Sequence, residues 1–349
     1  MAPRERPGEN DNADENDEQS FANARHLEMT RILAQCSGRG AEPLPPIAER
    51  IAAAVIGYAC GDALGLPWEN SSSAHPSPAE IEALPARKGW ERGATSDDTA
   101  LTLLVAQHLA ERGGAADARA FLQTLAAAAE SIPGLGPSTT GAIEHFRATG
   151  ELPVSGGTTN GAPMRALPVG WATPPDDPDR CRRRAIELTR ATHPAPDALV
   201  AACLVAACAS WALEGASGEL LLDIAINEEN QVRPVCGASD RLGVLLASLR
   251  AGTWRSPPQG ISLDPAETVT AALACTLWAS SLRTGLLQAV GMGGDTDTVA
   301  AIAGGLLGAR LTVAEVLAEL PWHAAVLLPD MGLVTDMAAT LAAVRASIN

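Results

Sequence analysis

Ala-, Leu- and Val-rich segments of helical length recur along the chain, each closed by Gly, Pro or polar residues, and this pattern restricts the fold to packed helices. They run Ile47 to Cys60, Thr99 to Arg112, Ala116 to Glu130, Thr139 to Thr149, Pro178 to Ala191, Pro196 to Leu213, Ser239 to Arg250, Pro265 to Ser281, Leu286 to Val290, Thr298 to Ala309 and Val313 to Leu320. Many place apolar residues at i, i+3 and i+4, as peripheral helices do, and others are apolar on every side, as central ones are. An all-β sandwich needs aromatic and β-branched residues, yet aromatics are only 3% of this chain. The expected fold class is all-α. No solenoid-like repeat is visible. The breaks SSSAHPSP, SIPGLGP, SGGTTNGAP, TPPDDPD, NEENQVRPVCGASD and WRSPPQG read as loops, none of them as a domain boundary.

Residues 1 to about 20 are acidic, Asn-rich and almost free of hydrophobes, so they cannot bury enough surface to offset chain entropy. Phe21 to Gln35 has weak helical periodicity, and GRGAEPLPP reads as a linker. The expected division is a disordered acidic tail and linker over 1–46 and a folded domain over 47–349. MAPRERPGENDNADENDEQ has no apolar core behind its charges and does not read as a secretory signal. The longest apolar run, Leu199 to Leu213, falls short of the roughly 20 residues that span a bilayer, so no membrane partner is expected. Seven Cys without a CxxC pair read as reduced thiols, which suits a cytoplasmic protein. Asp and Glu outnumber Lys and Arg 41 to 25, and no basic stretch with interleaved aromatics exists, so a sequence-reading nucleic-acid module is not expected.

Five short blocks carry chemistry. Thr95-Ser96-Asp97-Asp98-Thr99 stands directly before a helix; its plain reading is a cap whose hydroxyl and carboxylates satisfy orphan amides at the positive end of the dipole. Gly293-Gly294-Asp295-Thr296-Asp297-Thr298 also precedes an apolar helix, and its two carboxylates and two hydroxyls are more oxygen than one cap needs. Hard divalent cations take such oxygens, and two helix starts of this kind would suit two ions. Gly61-Asp62-Ala63-Leu64-Gly65-Leu66-Pro67-Trp68-Glu69 reads plainly as a helix end with solvated acids. Thr159-Asn160-Gly161 lies in a Gly-rich loop, running on to Met164, whose amides suit a phosphate. Thr192-His193-Pro194 is as well explained by packing as by a ligand.

Taken in order, GDALGLPWE, TSDDT, TNGAPMRALPVG, THP and GGDTDTVAAIAGGLLGA resemble the ADP-ribosylglycohydrolase family, which includes the dinitrogenase-reductase-activating glycohydrolases. The resemblance covers about Ile47 to Trp322, and GGDTDT is its most specific member. It implies an orthogonal all-α fold with two divalent metal ions, Mg²⁺ or Mn²⁺, at the base of an ADP-ribose cleft. Carried over, it makes Ser96, Asp97, Asp98, Asp295, Asp297 and Thr298 metal ligands. Glu69 matches an acid near the scissile bond, and Asp97 or Asp98 is a candidate base. Asp62, Thr159, Asn160, Gly161, Met164, His193, Gly293 and Gly294 fall in blocks that line the substrate. Ser96 stands where Thr is commoner, and Thr159 where Ser is frequent.

The implied reaction is hydrolysis of the bond between ribose C1 and an acceptor, releasing ADP-ribose from an ADP-ribosylated protein or other group through an oxocarbenium-like state. Two other classes compete: a metal-dependent ADP-ribose-binding protein without turnover, and a two-metal phosphoesterase cutting the pyrophosphate. The second is disfavoured because neither acidic block carries a His. The acceptor and the oligomeric state are not encoded in these motifs.

Overall fold

Apolar residues on every side make the segment after Pro46 a central helix, and each residue from Arg50 to Gly65 in it is buried. The computed structural model describes residues 46–70, 76–87 and 89–347, so the expected tail, its linker and the weak periodicity at Phe21 to Gln35 lie outside the described residues except at Pro46. The described residues form fifteen α-helices: α1 (Ile47–Gly65), α2 (Pro78–Glu82), α3 (Asp97–Glu111), α4 (Ala118–Ala128), α5 (Pro137–Thr149), α6 (Leu167–Trp171), α7 (Pro178–Thr189), α8 (Pro196–Ala212), α9 (Gly218–Cys236), α10 (Arg241–Arg250), α11 (Pro265–Trp278), α12 (Leu282–Gly291), α13 (Thr296–Gly308), α14 (Val313–Glu319) and α15 (Met331–Ala346). No strand occurs among them; one parallel bridge, Ile261 to Gly294, is the sole extended pairing. The all-α expectation holds.

The core is organised around α1 and α13, which make the most extensive helix–helix contact in the protein. Every residue of α13 is buried. The helices approach backbone to backbone: a Cβ on Gly61 would lie 2.2 Å from the Ala300 carbonyl oxygen, a distance no real side chain tolerates. This seam ends at Gly65, where the Thr296 hydroxyl donates to the Gly65 carbonyl at 2.8 Å. The end of α1 and the start of α13 are thereby joined, and with them Asp62 and Asp297.

Three features differ from the sequence reading or go beyond it. NEENQVRPVC is not a loop but the second half of α9. Its buried face continues from Leu221, Leu222 and Ala225 through Glu228 and Glu229 to Val232. The two acids are tolerated there because Arg182 takes Glu228 through both oxygens at 2.7 Å, while Arg233 pairs with Glu229 at 2.8 Å. The chain after Leu320 ends in α15, whose buried Arg345 donates to the carbonyls of Gly170 and Thr173 at 2.9 and 2.5 Å. Among the described residues one helix, Ile47 to Trp68, is long and apolar enough to span a bilayer by length and composition, with an 18-residue window of mean hydropathy 1.3; 89% of that window is buried within the protein, as befits a core helix. The cysteines described are all free, and burial pushes the Cys60 thiol up to about 12.

Candidate metal centre

The start of α3 is built from side chains. Ser96 caps the helix, its hydroxyl accepting from the Asp98 amide at 3.2 Å. Asp62, reaching across from α1, accepts the amides of Ser96 and Thr99 at 3.0 and 3.1 Å and the Thr99 hydroxyl at 2.5 Å. A fully buried carboxylate thus faces the positive end of a helix, and both its oxygens are engaged. Asp62 fixes the height of α3 against α1 from beneath; Thr99, its partner, was not singled out from sequence because that pairing spans 37 residues.

The start of α13 is built from main chain. Gly293 and Gly294 take positive φ values of 72° and 77°. The Gly293 carbonyl accepts from the Ile261 amide at 3.0 Å, and the Asp295 amide donates to the Ile261 carbonyl at 2.9 Å. A Cβ on Gly294 would sit 2.0 Å from that Ile261 oxygen, so both its conformation and its neighbour demand glycine. Asn160 then donates to Asp295 and, at 2.9 Å, to the Thr268 hydroxyl at the start of α11. Its own amide donates to the Leu263 carbonyl at 2.9 Å.

The two starts meet. The Thr298 hydroxyl donates to Asp98 Oδ2 at 3.0 Å across a separation of 200 residues. Two groups of carboxylates form, Asp62 with Asp98 and Asp297, and Glu69 with Asp295 and Asp297, the ligand atoms within each lying within 4.8 Å of one another. Asp297 belongs to both. Asp98 Oδ1 and Asp297 Oδ1 are buried without a hydrogen-bond partner, which is costly for a polar atom unless a cation completes it. Burial, reinforced by Asp297, drives the Asp98 carboxyl well above the usual carboxylate range; burial and Asp295 do the same to Asp297. Asp295 is pushed up to about 6 by burial against the opposing Asn160 hydrogen bond. An all-oxygen set of this kind, rich in carboxylates and supplemented by the Ser96 and Thr298 hydroxyls, fits hard divalent cations.

Asp97 stands apart. It is half-buried, outside both groups, and faces the Gly134–Gly136 turn, where its Oδ1 lies 3.5 Å from the position a Gly134 Cβ would take. Burial, then Asp62, push its carboxyl up to about 7. Glu69, at the tip beyond α1, is paired with Arg87 at 2.5 Å, and the following Asn70 amide donates to the Gly294 carbonyl at 2.8 Å. Thr159 is half-buried and hydrogen-bonds His193 Nε2 at 3.1 Å, while Thr192 holds His193 Nδ1 at 2.7 Å. His193 is fully buried, and burial followed by the neighbouring Arg165 lowers it to about 3, so the ring is neutral. The Gly-rich loop lies over it: a Cβ on Gly161 would be 2.8 Å from the imidazole. Met164 is buried, its carbonyl accepting from Tyr58 at 2.7 Å. Arg165, inside the TNGAPMRALPVG block but not named as a site residue from sequence, lies buried with its guanidinium 5.2 Å from the Phe121 ring and donating to Thr192.

Comparison with known proteins bears on the family and the fold. The uncharacterized protein YegU of Escherichia coli (strain K12) is 31% identical over 296 residues, covering 75% of this chain and 87% of that protein. A solved structure described as an ADP-ribosylglycohydrolase-related protein complex superposes with a TM-score of 0.68 at 26% identity, covering 85% of this chain and 98% of its own. The profile of the ADP-ribosylglycohydrolase family matches residues 43–346, so α15, which the motif resemblance left out, is part of the family fold. With five ordered motifs, one continuous profile and a shared all-α architecture, the chain belongs to the ADP-ribosylglycohydrolase family.

Proposed function

We propose that this protein is a divalent-cation-dependent hydrolase that cleaves the glycosidic bond between ADP-ribose and an acceptor, releasing free ADP-ribose. The observation that carries the reading is the pair of carboxylate groups sharing Asp297, with two buried oxygens that no protein donor satisfies. Asp98, Asp295 and Asp297 hold the cations, with Ser96 and Thr298 adding hydroxyls; Asp62 orients Ser96 from below. When bound, two Mg²⁺ or Mn²⁺ ions supply charge that orients the sugar hydroxyls and makes a water more acidic.

The remaining work falls to side chains. The Asp97 carboxylate, half-buried and outside both carboxylate groups, accepts the proton of the attacking water. Glu69 contributes negative charge beside the ribose as positive charge develops at C1. Thr159 and the amides around Gly161 face the diphosphate, with neutral His193 supporting them from behind. Gly293 and Gly294 leave the main chain bare where the sugar enters.

Incubation with a panel of ADP-ribosylated substrates in Mg²⁺ or Mn²⁺, followed by mass spectrometry, tests the reading. Free ADP-ribose is expected. AMP with ribose phosphate would replace it with a phosphoesterase, and binding without any product would leave an ADP-ribose-binding protein.

A further inference from the structure

Six carboxylates gather at this end of the protein: Asp62, Glu69, Asp97, Asp98, Asp295 and Asp297. Of these six, Glu69 alone has a basic partner within ion-pair distance among the described residues. Arg87 Nη1 lies 2.5 Å from Glu69 Oε2 and donates also to the Leu66 carbonyl at 2.6 Å, while the Asn70 side-chain amide donates to Glu69 Oε1 at 3.2 Å. The segment that presents Arg87 is fixed independently of Glu69. Arg92 donates to the carbonyls of Leu84 and Ala83 at 3.0 and 2.8 Å, the Trp90 amide donates to the Arg87 carbonyl at 3.0 Å, and the Leu327 amide donates to the Gly93 carbonyl at 2.8 Å. The backbone that carries Arg87 is thus held by its own contacts, and the guanidinium is placed by the Leu66 carbonyl as well as by Glu69.

Glu69 nevertheless keeps a ligand atom within 4.8 Å of those of Asp295 and Asp297. It stands between a guanidinium and a group of acids, and Arg87 and the Asn70 amide already engage both its oxygens. We propose that Arg87 is a positioning residue that keeps Glu69 out of the ligand set at Asp295 and Asp297 and holds it at the substrate side; this rests on the cation-dependent reading above. The charge of Arg87 also opposes a cation placed near it, so its removal acts in one direction on two grounds: an extra carboxylate becomes available to the metal and a repelling charge disappears. A purely structural role, a staple from the Leu66 carbonyl to the loop, predicts the opposite sign, because loosening the tip disorders a neighbouring acid.

The test is a calorimetric titration of the full chain with Mn²⁺ alone, in wild type, Arg87→Ala, Arg87→Lys and Arg87→Ala/Glu69→Gln, with thermal melts to confirm folding. Arg87→Ala is expected to tighten Mn²⁺ by about 10-fold, the low end of what partners of metal ligands change. Arg87→Lys should stay near wild type, and Glu69→Gln in the double variant should abolish the tightening. With substrate, Arg87→Ala should lower kcat and leave KM nearly unchanged. Unchanged or weakened Mn²⁺ binding in Arg87→Ala, or tightening that survives Glu69→Gln, overturns the proposal. Should Arg87→Ala not fold, a Mn²⁺ affinity in Arg87→Lys equal to that of Arg87→Lys/Glu69→Gln supports exclusion of Glu69, and a loss between them refutes it. A wild-type chain that binds Mn²⁺ but cleaves no ADP-ribosyl substrate refutes the proposed function while the titration still decides the role of Arg87; one that binds no Mn²⁺ overturns both.

Discussion

The two acidic helix starts serve one centre but are held in different ways. At α3 the placement comes from side chains, Ser96 as cap and Asp62 as a buried brace. At α13 it comes from the backbone, through the Ile261–Gly294 bridge and two glycines with positive φ. A side-chain brace can be trimmed by one atom at modest cost. A main-chain brace admits no added atom, so the α13 start should be the intolerant half and the α3 start the adjustable one.

The largest expected effect comes from Asp297, the carboxylate shared by both groups. Asp297→Asn should lower kcat by about 10³-fold or more and remove most Mn²⁺ binding, because one substitution disturbs both ions. Calorimetry and single-turnover kinetics check this; a variant with near-normal rate and full metal content would end the two-ion reading. Asp97→Asn sharpens the contrast: lying outside both groups, it should reduce kcat by about 10²-fold while metal content stays near that of wild type. Loss of metal in parallel with rate would place Asp97 among the ligands.

Stability separates the two starts next. Gly294→Ala should cost about 3 kcal/mol, at the upper end of overpacking, since its Cβ meets a carbonyl oxygen rather than a yielding side chain. Ser96→Ala should cost about 1 kcal/mol, the ordinary loss of a helix cap. Urea denaturation of the cation-free protein measures both, and equal costs would erase the distinction.

Much of this centre was legible because acids at helix starts announce themselves locally: Asp97, Asp98, Asp295 and Asp297 each stand directly before or within the first turn of an apolar helix. What escaped was everything whose partner is distant in sequence. Asp62 read plainly as a solvated acid at a helix end, and by resemblance as lining the substrate, whereas its three donor groups, on Ser96 and Thr99, lie more than 30 residues away. Arg87 offered no pattern at all, and Arg165, though inside the TNGAPMRALPVG block, no sign of its role, since a lone basic residue shows its role only when its carboxylate or hydroxyl is seen. The second half of α9 was hidden because buried charge pairs stand where an apolar stripe was sought. The C-terminal helix could have been found: Val334, Ala338, Leu341 and Val344 keep helical spacing and are buried.

The smallest effect concerns pH. Asp97 at α3 is raised from 3.8 to about 7 and Asp295 at α13 from 3.8 to about 6. Between the unfolded and folded values the native cation-free protein binds more protons than the unfolded chain, so its stability is fully present below about pH 4 and declines as pH rises through 6 and then 7. Thermal melts in EDTA should therefore fall by a few degrees from pH 5 to pH 7.5. Saturating Mg²⁺ should flatten the Asp295 part of the trend, because there the cation stands where the proton stood. A cation-free melting temperature that rises across this window would contradict the assignment of the buried acids.

The seam between α1 and α13 also governs how the protein is made. The Gly65 carbonyl waits for the Thr296 hydroxyl, 231 residues further along the chain. At a synthesis rate of about 5–20 residues per second, that interval lasts roughly 10–50 s. Throughout it a helix buried along nearly its whole length has emerged without the surface that covers it. The residues that make the finished centre rigid thus leave the nascent chain exposed longest, and its demand on chaperones during translation is set by the distance between two motifs rather than by the stability of the folded state.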